Sequence, residues 1–289
     1  MSVLGEPSAK HRFKKIDPSL AGFHARDLDF GFDAGRITDW CGGDPWRTLY
    51  FNALSITFPV GERFFIASVA HFRDRITDPK QRAEVAAFIN QEAMHKREHV
   101  EYNEAISTIA DVAGMEKILD DHIENVIKRR LPPLGRLAVT CALEHFTAIM
   151  AKDTLGNPRQ LEGAVPEYAR LWTWHALEEC EHKAVAFDVF QTVTAGKKNW
   201  LRVRIMPLVT MNFIRRNAQF MYALMKAQGH HKSPLAYAKL LWKIFGNPGP
   251  LRRIIPAYLK YYDPNFHPNQ IDDSKVRNET RKLVDSWAE

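Results

Sequence analysis

Two short stretches of the chain carry residue types that hold metal. "INQEAMHKREH" (89–99) sets Glu92, His95 and His99 at steps of three and four, and "WHALEECEHKAVAFD" (174–188) sets His175, Glu179 and His182 at steps of four and three. Residues so spaced share one face of a helix. An ordinary amphipathic helix fills that face with leucine, so a carboxylate flanked by imidazoles points to a bound cation. A single Glu-x-x-His is common on solvated helices. Here it occurs twice, and each copy follows a helical stretch with a glutamate at matching height. Glu62 lies 15 residues before the break at Thr77 and Glu92 lies 14 after Asp78, while Glu144 lies 12 before Gly156 and Glu179 lies 13 after Pro166. In antiparallel hairpins these carboxylates fall level. The expected ligands are therefore Glu62, Glu92, His95, Glu144, Glu179 and His182, with His175 as a third imidazole and His99 and Glu178 as further candidates.

Four carboxylates neutralise two divalent ions, and carboxylates with few imidazoles make a hard to intermediate site. Iron fits best, with manganese or zinc as alternatives. Without an ion, so many acids in an apolar core would cost several kcal/mol in desolvation and repulsion. Gln91 and Glu178, each next to a motif glutamate, can orient a ligand histidine from behind.

Helices must position these groups. Helical patterns cover about 52–75, 80–112, 115–130, 134–155, 166–196, 199–228, 233–246 and 250–262, with Pro, Gly and Asn at the breaks. No long alternating pattern, GxGxxG or P-loop is present, so nucleotide-binding readings fall away. The fold class is all-α, and one Glu from each of two helices plus Glu-x-x-His from each of two others is the pattern of ferritin-like four-helix bundles. The expected organisation is an irregular N-terminal arm (1–50), a di-metal bundle (51–196) and basic C-terminal helices packed on the bundle (197–289).

Three cysteines without paired spacing (Cys41, Cys141, Cys180) argue for reduced thiols. No stretch reaches the roughly 18 to 20 uninterrupted apolar residues of a membrane span, and "MSVLGEPSAKHRFKK" has no signal-peptide core, so the expected location is cytoplasmic. Charge is uneven. Of the 40 Lys and Arg, thirteen fall between Lys197 and Tyr262 with no Asp or Glu among them, leaving 27 against 34 acidic residues elsewhere. Aromatic residues alternate with these cations, which suits peripheral contact with an anionic membrane through 197–262. No nucleic-acid motif accompanies them, so nucleic acid is not an expected partner.

"GGDPWRTLYFNALSITFPVGERFF", "FINQEAMHKREHVEYN" and "WTWHALEECEHKAVAFDV" together resemble the bacterial family of predicted metal-dependent hydrolases over most of the chain. The resemblance implies the same ligand set. His175-x-x-x-Glu179-x-x-His182 also resembles the di-iron arylamine N-oxygenases, in ligand pattern alone. The expected function is a dinuclear, di-iron enzyme that activates O₂ to oxidise or oxygenate a small apolar substrate with an electron donor. The alternative is a two-metal hydrolase that uses a metal-bridging hydroxide.

Phe58, Phe64, Phe65, Trp172 and Trp174 flank the ligands as core or as substrate lining. Glu98 and Glu101 read as a solvated face, Cys180 as a packed thiol, Asp188 as a cap or a histidine partner, and Glu181 as an extra candidate on the last motif helix.

Overall fold

Proline, preceded in two cases by aspartate, opens most of the long helices. In the computed structural model, which describes residues 16–287, Asp44 accepts hydrogen bonds from the Trp46 and Arg47 amides and starts α1 (Pro45–Ala70). Asp78 accepts from the Gln81 amide and starts α2 (Pro79–Ser107). The Asp44 cap explains why α1 begins several residues before its apolar pattern. Asp111 caps α3 (Val112–His122), which passes through a π-helical turn at Ile123–Ile127 into the short α4 (Lys128–Arg130). Then follow α5 (Pro133–Gly156) and α6 (Pro166–His182).

The expected helix from Pro166 to Gly196 is two helices. α6 stops at His182, and α7 (Val185–Thr194) restarts after a turn. At that turn the buried Lys183 ammonium donates to the Ile271 carbonyl (2.7 Å) and to Asp273 Oδ2 (2.5 Å). A partner some 90 residues away holds the bend, so the local pattern did not show it. The chain continues through α8 (Asn199–Ala227), α9 (Pro234–Leu241), a π-helical turn at Trp242–Gly246, α10 (Pro250–Lys260) and α11 (Ser274–Asp285). No strand occurs among the described residues beyond an isolated bridge between Cys41 and Ala164.

α1 lies along α2, α5 along α6, α1 beside α5 and α2 beside α6, so the four helices close a ring. α8 covers α1 and α5, α10 lies on α5, and α9 sits near the start of α1. The irregular arm crosses the outside: its first turn rests on α2, and Trp40 stacks on Tyr168 with ring centroids 5.0 Å apart. The first fifteen residues of the expected arm lie outside the described residues. By length and composition the stretch Pro45–Arg75 could cross a membrane, but 67 % of its most apolar window is buried inside the fold, as in a core helix.

Candidate metal centre

The middle of the ring is polar. Glu62 comes from α1, Glu92 and His95 from α2, Glu144 from α5, and His175, Glu179 and His182 from α6, and all of these side chains are buried. Their donor atoms fall into three overlapping groups, Glu62–His95–His175, Glu92–His95–Glu179 and Glu92–Glu144–His182, with the atoms of each group within 4.8 Å of one another. Glu92 and Glu179 lie between two clusters, one built on Glu62, His95 and His175 and the other on Glu144 and His182.

Hydrogen bonding sets the direction of each imidazole. Gln91 Nε2 donates to the His24 carbonyl and to Glu181 Oε2, both at 3.0 Å, which turns its Oε1 toward His182. His182 Nδ1 therefore donates to Gln91 Oε1 (3.0 Å) and Nε2 keeps its lone pair. That nitrogen faces Glu92 Oε1 at 3.2 Å, Glu144 Oε2 at 3.5 Å and Glu179 Oε2 at 3.6 Å.

A longer chain orients His175. Asn103 Nδ2 donates to Glu116 Oε1 (2.9 Å), which leaves Asn103 Oδ1 to accept from Ser55 Oγ (2.8 Å). Having spent its proton, Ser55 Oγ accepts from His99 Nδ1 (2.9 Å), and His99 Nε2 then accepts from His175 Nδ1 (2.6 Å). The lone pair of His175 Nε2 is left 3.0 Å from Glu179 Oε1. On His95, Nε2 lies 3.1 Å from Glu178 Oε2 and Nδ1 lies 3.6 Å from Glu179 Oε1. His175 and His182 thus turn one nitrogen toward the carboxylates and hydrogen-bond the other behind, the arrangement metal-binding histidines require, while both His95 nitrogens lie near carboxylate oxygens without a hydrogen bond.

The donors fit bound metal. Both oxygens of Glu62, Glu92 and Glu144, with Glu179 Oε2, His95 Nδ1 and His182 Nε2, are buried and have no hydrogen-bond partner in the protein. Buried acceptors facing acceptors are costly unless a cation or proton lies between them. Titration reflects the same field. Burial, and then the charge of Glu92, hold the Glu62 and Glu144 carboxyls well above the usual range. Burial pulls His182 down, but Glu179, Glu92 and Glu144 together outweigh it and hold the imidazole well above its ordinary value. Without an ion, a proton on His182 partly supplies the positive charge that the site attracts.

The structure gives His99 and Glu178 other work. Both ring nitrogens of His99 are engaged, by Ser55 and His175. Glu178 Oε1 accepts from the Arg26 amide and guanidinium, each at 3.1 Å, and its Oε2 faces His95. His99 thus has no nitrogen to spare for an ion, whereas Glu178 keeps one buried oxygen, Oε2, without a hydrogen-bond partner. Gln91 and Glu178 stand behind His182 and His95, the positions expected of them. Asp188 lies beyond the bend and pairs with His267, and the Cys180 thiol packs beside Ala151 and Ala176. Glu98 departs from its expected solvated face: it is buried and paired with Arg97 at 2.7 Å, because Arg97 also reaches Asp27 and the Leu28 carbonyl of the arm. Arg26, Ser55, Asn103 and Glu116 were not candidates, since no local motif marks them.

Two apolar cavities adjoin the centre. One of about 30 Å³ is lined by Phe51, Leu54, Phe58, Met150 and Trp172 and reaches His175 and Glu179. The other, about 80 Å³, shares Phe58 and Thr147 with it and extends past Phe64 and Phe65 to Phe213 and Asn217 of α8. Trp174 packs against His95 on the far side, with ring centroids 4.9 Å apart.

A family described as predicted metal-dependent hydrolase matches residues 24–272. The chain belongs to this family. The match covers every donor named above, so metal dependence rests on both the family and the clustered carboxylates and imidazoles. No curated protein and no solved structure matches the chain.

Proposed function

We propose that this member of the family is a dinuclear metal enzyme acting on a small apolar substrate, and that the reaction is oxidation by O₂. Glu62, His95 and His175 would hold one ion, Glu144 and His182 the other, with Glu92 and Glu179 shared. When bound, a redox-active pair such as iron would supply electrons to dioxygen. Phe51, Leu54, Phe58, Met150 and Trp172 line the side from which an apolar substrate would approach, and the protein's own residues fix the imidazoles and exclude bulk water. The observation that carries this reading is the pairing of an oxygen-rich donor set with an apolar cavity that ends on His175 and Glu179. Reactive oxidation chemistry needs such a dry site.

The family description favours the other reaction these ligands allow, hydrolysis of a carbonyl or phosphoryl group assisted by two metals. Hydrolysis needs a route for water to the centre, and the adjoining cavities are lined mainly by apolar side chains. That apolar lining is what supports the oxidation reading. Metals per chain, measured by plasma mass spectrometry on protein expressed with iron, manganese and zinc all available, separate the two. About two irons, with oxygen consumption by the reduced protein, support oxidation. Two zinc or manganese ions with iron excluded, and turnover of ester or phosphoester probes without oxygen, support hydrolysis.

A further inference from the structure

Among the described residues, twelve of the seventeen large hydrophobic side chains exposed to solvent fall between Trp200 and Leu259. That stretch lies inside the acid-free segment 197–262. On α8, the exposed residues Trp200, Leu208, Met211 and Tyr222 alternate with exposed Arg204, Arg215 and Lys226. At 100° per residue these seven positions fall within about 80° of arc, opposite the face that packs on α1 and α5. α9, the turn after it and α10, which pack on α1 and α5 as α8 does, add Leu241, Trp242, Phe245, Ile255 and Leu259, each between 48 and 63 % exposed.

The cations of this layer are largely uncompensated. Lys243 pairs with Asp44 and Arg253 with Asp153, while Arg202 and Arg216 are buried. The other nine basic side chains are exposed and make no ion pair among the described residues. Large apolar groups interleaved with free cations exceed the scattered hydrophobics of an ordinary monomer surface.

We propose that the outer face of α8, α9 and α10 docks on a bilayer surface rich in anionic lipid, with the apolar side chains seated among the acyl chains and the cations at the headgroups. Charge selects this occupant over a second copy of the chain. A two-fold contact sets a patch against itself, and here that would face unpaired cations with unpaired cations. Nucleic acid would meet the cations and leave Leu208, Met211 and Leu259 uncovered. The proposal is independent of the reaction at the metal centre, which lies on the other side of α1 and α5.

The test is flotation of the full chain with vesicles of phosphatidylcholine alone or mixed with phosphatidylglycerol. Leu208→Ser/Met211→Ser and Trp242→Ser/Phe245→Ser are run in parallel, and all of these positions are exposed. Thermal melting and metal content establish that each variant is folded. The expected result is binding to the mixed vesicles, weakened by salt, at least about tenfold weaker on phosphatidylcholine and about tenfold weaker in each variant. Absence of binding to mixed vesicles overturns the proposal. So does binding that both variants retain in full, which would be charge attraction without seating. A dimer in light scattering that the variants dissociate, without vesicle binding, would assign the face to a second copy.

Discussion

His99 Nε2 stands 2.6 Å from His175 Nδ1, and this contact fixes which nitrogen of His175 faces the carboxylates. Its direction is set three residues back, where Asn103 is oriented by Glu116 and takes the Ser55 proton. Ser55→Ala frees His99 to adopt its other tautomer, so His175 no longer has a committed acceptor. Metal affinity at the His175 side should fall about 10- to 100-fold while the fold persists. Titration of the chelated protein with ferrous ion, followed by stoichiometry, would show one tight and one weakened site. Two sites of unchanged affinity would remove the chain from His175's positioning.

Glu92 and Glu179 lie between the two donor clusters, so each should matter to both ions. Glu92→Ala and Glu179→Ala should each reduce bound metal to near zero, whereas Glu144→Ala should leave part of it. Full metal content in both of the first two variants would dismantle the dinuclear reading.

The metal-free chain should lose stability as pH rises from about 7.5 to 8.5, above the range in which the neutral folded His95 and His99 act in the opposite sense. In that window the unfolded chain's glutamates are already ionised and its histidines mostly neutral. Folded Glu62 and Glu144 keep protons through burial and the charges of Glu92 and Glu179, Glu178 titrates near 8 through burial that Arg26 only partly offsets, and His182 is held protonated. The folded state therefore binds more protons than the unfolded one, and stability falls with rising pH. Bound metal removes the penalty, so the melting temperatures of chelated and metal-loaded protein should diverge as pH increases. Parallel curves would contradict the burial of these groups.

Arg26 joins three distant parts of the chain: it bonds Glu178 at 3.1 Å and Glu181 at 2.9 Å on α6, and Asp285 at 2.6 Å on α11. Arg26→Met would leave Glu178 facing His95 without its compensating cation. Breaking a buried pair on one side costs about 3 to 5 kcal/mol, which for a chain of this size lowers the melting temperature by roughly ten degrees. Differential scanning calorimetry checks it. Arg26→Met/Glu178→Gln should recover part of the loss, because the orphaned charge is gone.

Local spacing was enough to name the seven clustered donors, because i to i+3 and i to i+4 neighbours share a face and short hairpins keep glutamates level. The helices were legible for the same reason, apart from their ends. The Asp44 cap lies outside the apolar pattern it starts, and the bend after His182 is held by Asp273, far along the chain.

What tertiary structure alone decided is how those donors are aimed. Glu178 and His99 sit on the motif helices as candidate ligands, but partners distant in sequence take one Glu178 oxygen (Arg26) and both His99 nitrogens (Ser55 and His175). The basic segment was visible in composition, yet which of its side chains face outward depends on α8, α9 and α10 packing against α1 and α5. Periodicity places a residue on a helix face from its near neighbours. The partner that meets that face comes from long-range packing, and a pattern of near neighbours holds no record of it.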